Sequence, residues 1–287
     1  MTSARRIRVR AYFLPPKPVH VPPPEIPASA ALIGISFFLT LVAPFTSSIF
    51  PVLLFGSAIL MFFVAIWLER HDGPAQRERT YWNALLNLNI TPMQAEERAS
   101  DFEVDAQLAD DIADAIRRAR LRLDQGPSAA LGEPLPLVGP LFWTGGEIPD
   151  SDLFVQRGAD GHLRFSAAFL LIVFPFAEQV GIYTCSLNLL RGERLRERVM
   201  VYHRDELLPA EVIDREVTLA LPDSRRLRAA RIFRLTDVYG TITDVLIDSP
   251  ELSYLFGGTI DFKITQAIIN QIQTLLHQGG SHDDQDH

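Results

Sequence analysis

The most constraining feature of this sequence is the run from Ala28 to Leu68, which contains no Asp, Glu, Lys or Arg. The hydrocarbon core of a bilayer is about 30 Å thick and is crossed by about 20 helical residues. Pro44, Ser47 and Pro51 interrupt the run near its middle, so it predicts two membrane-spanning helices joined by a tight turn. A re-entrant or interfacial hairpin and a buried core hairpin are the alternatives.

The charges around this run predict how the chain is oriented. Basic residues precede it at Arg5, Arg6, Arg8, Arg10 and Lys17, and basic residues follow it at Arg70, Arg77 and Arg79. Because basic flanks stay on the cytoplasmic side, we expect both termini in the cytoplasm. The formal net charge of the whole chain is −8, so the part after the hairpin is strongly acidic and a poor nucleic-acid binder. The single cysteine, Cys185, excludes an internal disulfide.

Composition and periodicity divide the chain into five parts. These are a basic, Pro-rich tail (1–27), the hairpin (28–68), a helical linker (69–128), a β-rich domain (129–280) and a disordered tail (281–287). In the linker, Thr91 and Gln94 have the spacing of a capping box, which predicts a helix that runs to Leu123. Carboxylates crowd the earlier part of this helix and arginines its end, as the helix dipole favours.

The β-rich part has a period of two residues, interrupted by turn signals. Strands are predicted at Leu135–Trp143, Leu153–Gln156, His162–Phe174, Val180–Leu190, Arg194–His203, Glu211–Leu221, Arg226–Leu235 and Tyr239–Ile247. Helices follow at Ser249–Leu255 and at Thr265–His277. The predicted fold class is therefore α+β and membrane-anchored: a transmembrane helical hairpin, a helical linker, then an antiparallel β roll or partly open barrel capped by a C-terminal α-helix.

Three strand segments carry a resemblance to a known family. They are Ile182-Tyr183-Thr184-Cys185, Val201-Tyr202-His203-Arg204 and the segment Val212–Val217. Because these segments follow one another in this order, the region from Gly132 to Gly279 resembles the bacterial pleckstrin-homology-like (PH-like) and GRAM-like domains. The whole chain resembles uncharacterised bacterial membrane proteins with such a domain after a membrane hairpin. The resemblance implies a small barrel that binds lipid or protein without catalysis, at the inner (cytoplasmic) membrane.

Arginines provide the candidate binding site. Strand alternation predicts that Arg194, Arg196 and Arg198 share one face of a strand, where three guanidinium groups could hold a phosphate. Arg226 and Arg228 belong to a second basic run that could join them if its strand lies nearby. Together these five residues form a candidate patch for an anionic ligand. The alternative is an exposed sheet face whose arginines pair with neighbouring carboxylates.

The other reactive side chains give weaker evidence for a functional site. The cluster from His203 to Glu206 could hold a metal or act as acid and base, but a polar turn is the simpler interpretation. Cys185 has no neighbouring base, which favours a buried structural thiol. The tail 281–287 could bind metal only weakly and adventitiously. We expect no cofactor, because the sequence has no phosphate-cradling glycine loop, nucleophile elbow or paired CxxC.

These features favour a non-enzymatic scaffold or adaptor. The expected partners are the bilayer, through two spans, and an anionic lipid headgroup or a protein bound by the PH-like domain, with a homo-oligomer as a further possibility. One alternative is a subunit of an oligomeric membrane channel or transport assembly, although the run 28–68 contains no ionisable Asp, Glu, Lys or Arg to line a path. Another is an enzyme with an unrecognised pocket.

Overall fold

A computed structural model describes residues 3–15, 59–60, 73–123, 132–141, 146–221 and 226–277. The chain forms two compact units, one of Pro15–Leu86 and the other of Met1–Leu14 together with Asn87–His287. The first fourteen residues therefore belong to the same unit as the β-rich region, although a second unit separates the two in sequence.

The described helices are α1 (Ser3–Tyr12), α2 (Gly73–Asn87), α3 (Asp101–Leu123), α4 (Pro250–Phe256) and α5 (Phe262–His277). The described strands are β1 (Leu135–Pro140), β2 (Val155–Arg157), β3 (Leu163–Phe165), β4 (Ala167–Pro175), β5 (Gln179–Asn188), β6 (Glu193–His203), β7 (Glu211–Ala220), β8 (Arg226–Thr236) and β9 (Ile242–Asp248). Short 3-10 turns lie at Gln94–Glu96, Asp150–Asp152 and Arg204–Glu206.

The strands form two main antiparallel sheets. The first sheet has the order β1-β4-β5-β6 and the second has the order β7-β8-β9, while β2 and β3 form a separate hairpin. Apolar side chains between the sheets make one core, to which Leu137, Ile182, Phe233 and Val245 contribute. Helix α5 closes this core with Ile269 and Ile272. An α+β fold of antiparallel sheets and helices is what the described residues show.

Helix α3 covers the opposite face of the first sheet. Its small residues Ala115 and Ala119 are fully buried against strand residues such as Leu170, Ile172 and Tyr183. Alanine at these positions lets the helix axis come close to the sheet, so β4 and β5 are covered on both faces. As a consequence, nearly every residue of these two strands is buried.

Strand β1 approaches β9 so closely that only glycine fits at one point. A Cβ on Gly139 would collide with the backbone oxygen of Leu246 and would lie 2.7 Å from Cγ1 of Val245. This contact joins an outer strand of one sheet to an outer strand of the other. Because glycine has no side chain, the backbones of the two sheets can pack directly against each other at position 139.

Replacing Gly139 tests this contact. We expect Gly139→Ala to lower the free energy of unfolding by about 1–3 kcal/mol, because the added methyl group forces the two strands apart. Urea denaturation followed by circular dichroism measures the change. Gly132→Ala is the matched control, since a Cβ there would meet Pro175 at an ordinary 3.6 Å. Equal stability of the two variants would contradict the proposed close contact.

Two predicted elements are divided in the structure. The strand predicted at His162–Phe174 is interrupted at Ser166, whose buried hydroxyl donates to the carbonyl oxygen of Asp152 at 2.6 Å. The linker helix starts at Asp101 instead of Thr91, because Ser100 and Glu103 form a second capping box. Thr91 and Gln94 do cap each other, but they cap only the short 3-10 turn.

The predicted membrane hairpin at 28–68 lies outside the described residues, except for the helical Ile59 and Leu60. In the part of the chain that the structure describes, no helix is both long and apolar enough to cross a membrane. The longest of them, α3, has the length but carries carboxylates and arginines throughout. This finding, made on the described residues, contradicts the predicted membrane-anchored fold class, the transmembrane description and the multi-pass placement in the cell membrane with cytoplasmic termini.

The N-terminal arginines have a different role from the one predicted. Helix α1 lies against α3, where Arg5 pairs with Asp110 at 2.8 Å and Arg8 contacts Glu103 at 2.5 Å. Val9, Ala11 and Tyr12 of α1 are buried beside these ion pairs, and Val9 is fully inaccessible. Three of the positive charges that were interpreted as a topology signal, Arg5, Arg6 and Arg8, therefore neutralise carboxylates of the same chain, which weakens that argument for orientation.

A buried arginine joins the same helices to the β2–β3 hairpin. Arg164 makes two hydrogen bonds to Asp105 of α3, at 2.8 and 2.7 Å, and two to Asp160, at 3.0 and 2.8 Å. Asp101 accepts a hydrogen bond from the hydroxyl of Tyr12 at 2.7 Å. Arg164 is only 8% exposed, so this network replaces its hydration.

The network predicts how stability depends on pH. The hydrogen bond from Arg164, followed by that from the backbone of His162, holds the pKa of Asp160 well below its usual range. A carboxylate whose pKa is lowered by folding stabilises the protein fully above its unfolded pKa of about 3.9. That contribution is lost as the pH falls through the folded-state pKa.

We therefore expect the urea midpoint to be constant between about pH 7 and 5 and to fall by pH 3. Asp160→Asn should lower the midpoint at pH 7 and reduce the acid dependence. Asp214→Asn is the control, because Asp214 is 74% exposed in its pair with Arg231. An unchanged acid dependence in Asp160→Asn would show that other carboxylates control it.

Candidate interaction surface

The predicted anionic-ligand patch is changed by a β-bulge in strand β6. Thr184 pairs with Arg198 and Ser186 pairs with Leu195, so Arg196 and Glu197 together oppose Cys185. Arg196 has a positive φ of 47°, which interrupts the alternation of side chains. Arg194 therefore faces α3, while Arg198 lies on the other face of the sheet. Alternation alone placed them together wrongly.

The five candidate arginines have different surroundings. Arg194 contacts Asp114 of α3 at 2.6 Å, and Arg196 contacts Glu147 at 2.7 Å. Arg198, Arg226 and Arg228 are exposed. The last two lie on β8, in the second sheet. The five residues are divided between two sheets, and two of them already have carboxylate partners. This arrangement does not support binding of one anion by all five, so the common patch stays a prediction.

The other reactive residues have surroundings that fit a structural role. Burial raises the pKa of the Cys185 thiol to about 11, so a thiolate is disfavoured there. Glu206 accepts a hydrogen bond from the backbone of His203 at 2.8 Å and caps a 3-10 turn. No group of His, Cys, Asp and Glu among the described residues could hold a metal ion. The tail 281–287 lies outside the described residues.

Exposed apolar side chains gather around the turn between β8 and β9. This turn surface consists of Leu208, Val238, Tyr239 and Ile242, whose exposed fractions are 44%, 49%, 76% and 52%. Ile242 pairs with Thr236 across the strands, and the backbone of Leu208 donates to the carbonyl oxygen of Thr236 at 2.9 Å. The four side chains therefore project from adjacent backbone segments. Exposed apolar side chains that gather on neighbouring segments in this way are a feature of interaction sites.

Asp237 holds the turn in one shape. Its Oδ1 accepts hydrogen bonds from the backbone of Tyr239 and of Thr241, at 3.0 and 2.7 Å. Its Oδ2 accepts one from the hydroxyl of Tyr202 at 3.1 Å. Burial opposes ionisation, yet these bonds keep the pKa of Asp237 below its usual value. Gly240 completes the turn with a φ of 85°, where a side chain would be strained.

A second segment supports the tip of the turn. The backbone of Val238 donates to the carbonyl oxygen of Glu206 at 2.8 Å. The Tyr239 hydroxyl donates to a carboxylate oxygen of Glu206 at 3.1 Å. This hydrogen bond raises the pKa of Tyr239, and the nearby charges of Asp237 and Asp205 act in the same direction. The most exposed aromatic ring of the surface is therefore held in place before any partner binds.

Carboxylates surround this turn surface. Asp205, Glu206 and Glu211 lie on the segments beside it, and Glu211 faces Arg234 across the strands. Arg234 is occupied by two hydrogen bonds to Asp244, at 2.8 and 2.6 Å. The surroundings are therefore acidic, and they complement a partner with basic residues next to apolar ones.

Comparisons with known proteins assign the chain to no family. No protein-family model, no curated protein and no solved structure matches the chain. The resemblance to PH-like and GRAM-like domains stays a prediction, and the function has to be argued from the geometry.

Sequence reasoning did not find the turn surface, although one signal was present. The segment Asp237-Val238-Tyr239-Gly240 has the Asp and Gly typical of a tight turn. It was included in part in a strand predicted at Tyr239–Ile247. The apolar neighbour Leu208 is remote in sequence, so only the pairing of the segments brings it to Tyr239.

The role of Asp237 in ordering the turn can be tested directly. Asp237→Ala removes the acceptor for two backbone donors and for Tyr202, so we expect the amides of Tyr239 and Thr241 to exchange with solvent at least tenfold faster. Hydrogen exchange followed by mass spectrometry or NMR measures this rate. The variant Asp244→Ala, which removes a carboxylate but no turn contact, should leave the two amides unchanged.

Proposed function

We propose that this protein is a non-catalytic binding module that recognises a partner protein through the turn surface. The observation that carries the proposal is the position of Tyr239, which is 76% exposed yet held by a hydrogen bond to Glu206. An aromatic side chain ordered in the free protein loses little entropy on binding. Residues of this type dominate the energy of protein interfaces.

The partner is a protein segment with an apolar side chain flanked by arginine or lysine. Leu208, Val238 and Ile242 provide the apolar contact area beside Tyr239. The surrounding carboxylates attract the basic residues, increase the association rate and disfavour acidic partners. A scaffold or adaptor works in this way, since it holds another protein and performs no chemistry on it.

Selection from a random peptide display library tests the proposal. The full chain is used as bait, and we expect recovered peptides to combine apolar residues with arginine or lysine. Their affinity should fall at least tenfold in the double variant Val238→Ser, Tyr239→Ser, and it should weaken as salt is raised. Fluorescence anisotropy with one recovered peptide measures both effects.

Tyr254→Ser provides the matched control, because Tyr254 is 88% exposed on α4 and is not part of the turn surface. This variant should bind the selected peptide like the unmodified protein. Circular dichroism checks that each variant is folded. Peptides without a basic residue, or affinity that survives in the double variant, would contradict the proposal.

A further inference from the structure

Three arginines lie at the turn between β5 and β6, which is not part of the turn surface. Arg6 donates from Nη1 to the carbonyl oxygen of Leu189 at 3.2 Å, and Arg10 donates from Nε to that of Leu190 at 2.6 Å. Arg191 extends from the turn itself. We call Arg6, Arg10 and Arg191 the arginine cluster.

Gly192 makes room for this arrangement. It has a φ of 70°, and a Cβ at this position would collide with the guanidinium group of Arg6. The backbone of Gly192 also donates to the carbonyl oxygen of Asn188 at 2.7 Å, which fixes the turn. The arginines of α1 therefore lie directly over the backbone of the turn. A side chain at Gly192 would displace Arg6.

The counter-charges of the cluster are unequally distributed. Arg6 pairs with Asp111 at 3.2 Å. Arg191 binds both carboxylate oxygens of the buried Asp152, at 2.5 and 3.1 Å. In contrast, the acceptors of Arg10 among the described residues are neutral carbonyl oxygens, those of Leu190 and Leu88. No described carboxylate forms an ion pair with it.

The electrostatics agree with this geometry. Burial lowers the pKa of Arg10, and the positive charges of Arg6 and Arg191 lower it further. Asp152 and Glu193 oppose this effect only through their fields, since neither contacts the guanidinium group. An arginine stays protonated in any case, so the cost appears as an unbalanced charge within the protein. A bound anion would remove that cost.

We propose that the arginine cluster is a binding site for a phosphate group, free or esterified. The Nη2 of Arg10 and the Nη1 of Arg191 have no protein acceptor among the described residues, so they can donate to phosphate oxygens. Guanidinium groups match phosphate geometry with paired hydrogen bonds. The side chain of Arg191 is 44% exposed, so the site opens to solvent. This site is separate from the protein-binding surface proposed above.

Isothermal titration of the full chain with inorganic phosphate, pyrophosphate and phosphoserine tests the site, with sodium chloride used to keep the ionic strength constant. We expect saturable binding with one site per chain. Stronger binding of phosphoserine than of inorganic phosphate would identify the esterified source, and the reverse order the free one. No saturable heat with any of the three probes would overturn the proposal.

Variants locate the site. Arg10→Met should weaken binding about tenfold or more, because it removes charge-assisted hydrogen bonds. Arg226→Met should bind like the unmodified protein, since Arg226 is exposed on β8. Equal affinity in Arg10→Met and the unmodified protein, or a loss confined to Arg226→Met, would overturn the assignment.

A second measurement works on the unmodified protein and stays decisive if Arg10→Met does not fold. Phenylglyoxal modifies accessible arginines, and mass spectrometry measures the extent at each position. Pyrophosphate should protect Arg10 and Arg191 from modification at least fivefold and leave Arg226 unprotected. Equal modification of Arg10 and Arg191 with and without pyrophosphate would contradict the site.

Discussion

The central constraint of this structure is that strands β4 and β5 are buried on both faces. Their side chains alternate between two apolar layers, one against α3 and the other against the second sheet and α5. A sheet whose two faces are apolar is unstable until both are covered. The positions of α3, the second sheet and the C-terminal helix all follow from this requirement. The glycine contact between β1 and β9 completes the packing of one sheet on the other.

A layer of charge lies outside this apolar core. The apolar stripe of α3 is used against the first sheet, and the carboxylates beside that stripe need counter-ions. Arg5, Arg6 and Arg8 of α1 supply them, and Arg164 supplies another from β3. Exposed pairs contribute little and buried ones are costly to break, so the pairs of the buried Arg164 should be more costly to break than those of the more exposed arginines. The same charges explain why a basic N-terminus was misleading as a topology signal.

At both proposed sites, hydrogen bonds to the backbone of a turn fix the turn and so position the binding side chains. At the turn surface, the buried Asp237 fixes a short turn so that Tyr239 can stay exposed and ordered. At the arginine cluster, Asn188 and Gly192 fix a hairpin turn whose carbonyl groups orient Arg6 and Arg10. In each case the proposed binding side chains lie on or over a turn between two strands, while the sheets provide the base. The first site is acidic and the second basic, so their ligands differ in charge.

By itself, the sequence determined the features that depend on neighbouring residues. The period of two residues gave most of the strands, and the capping pairs Thr91–Gln94 and Ser100–Glu103 are local patterns that the structure uses. Tertiary structure alone decided the bulge at Arg196, the division of the candidate arginines between two sheets and the docking of α1 on α3. Arg5 and Asp110 are 105 positions apart, and no local period selects such a pair. Packing of the core brings them together, because side-chain partners are chosen by distance in space and not along the chain.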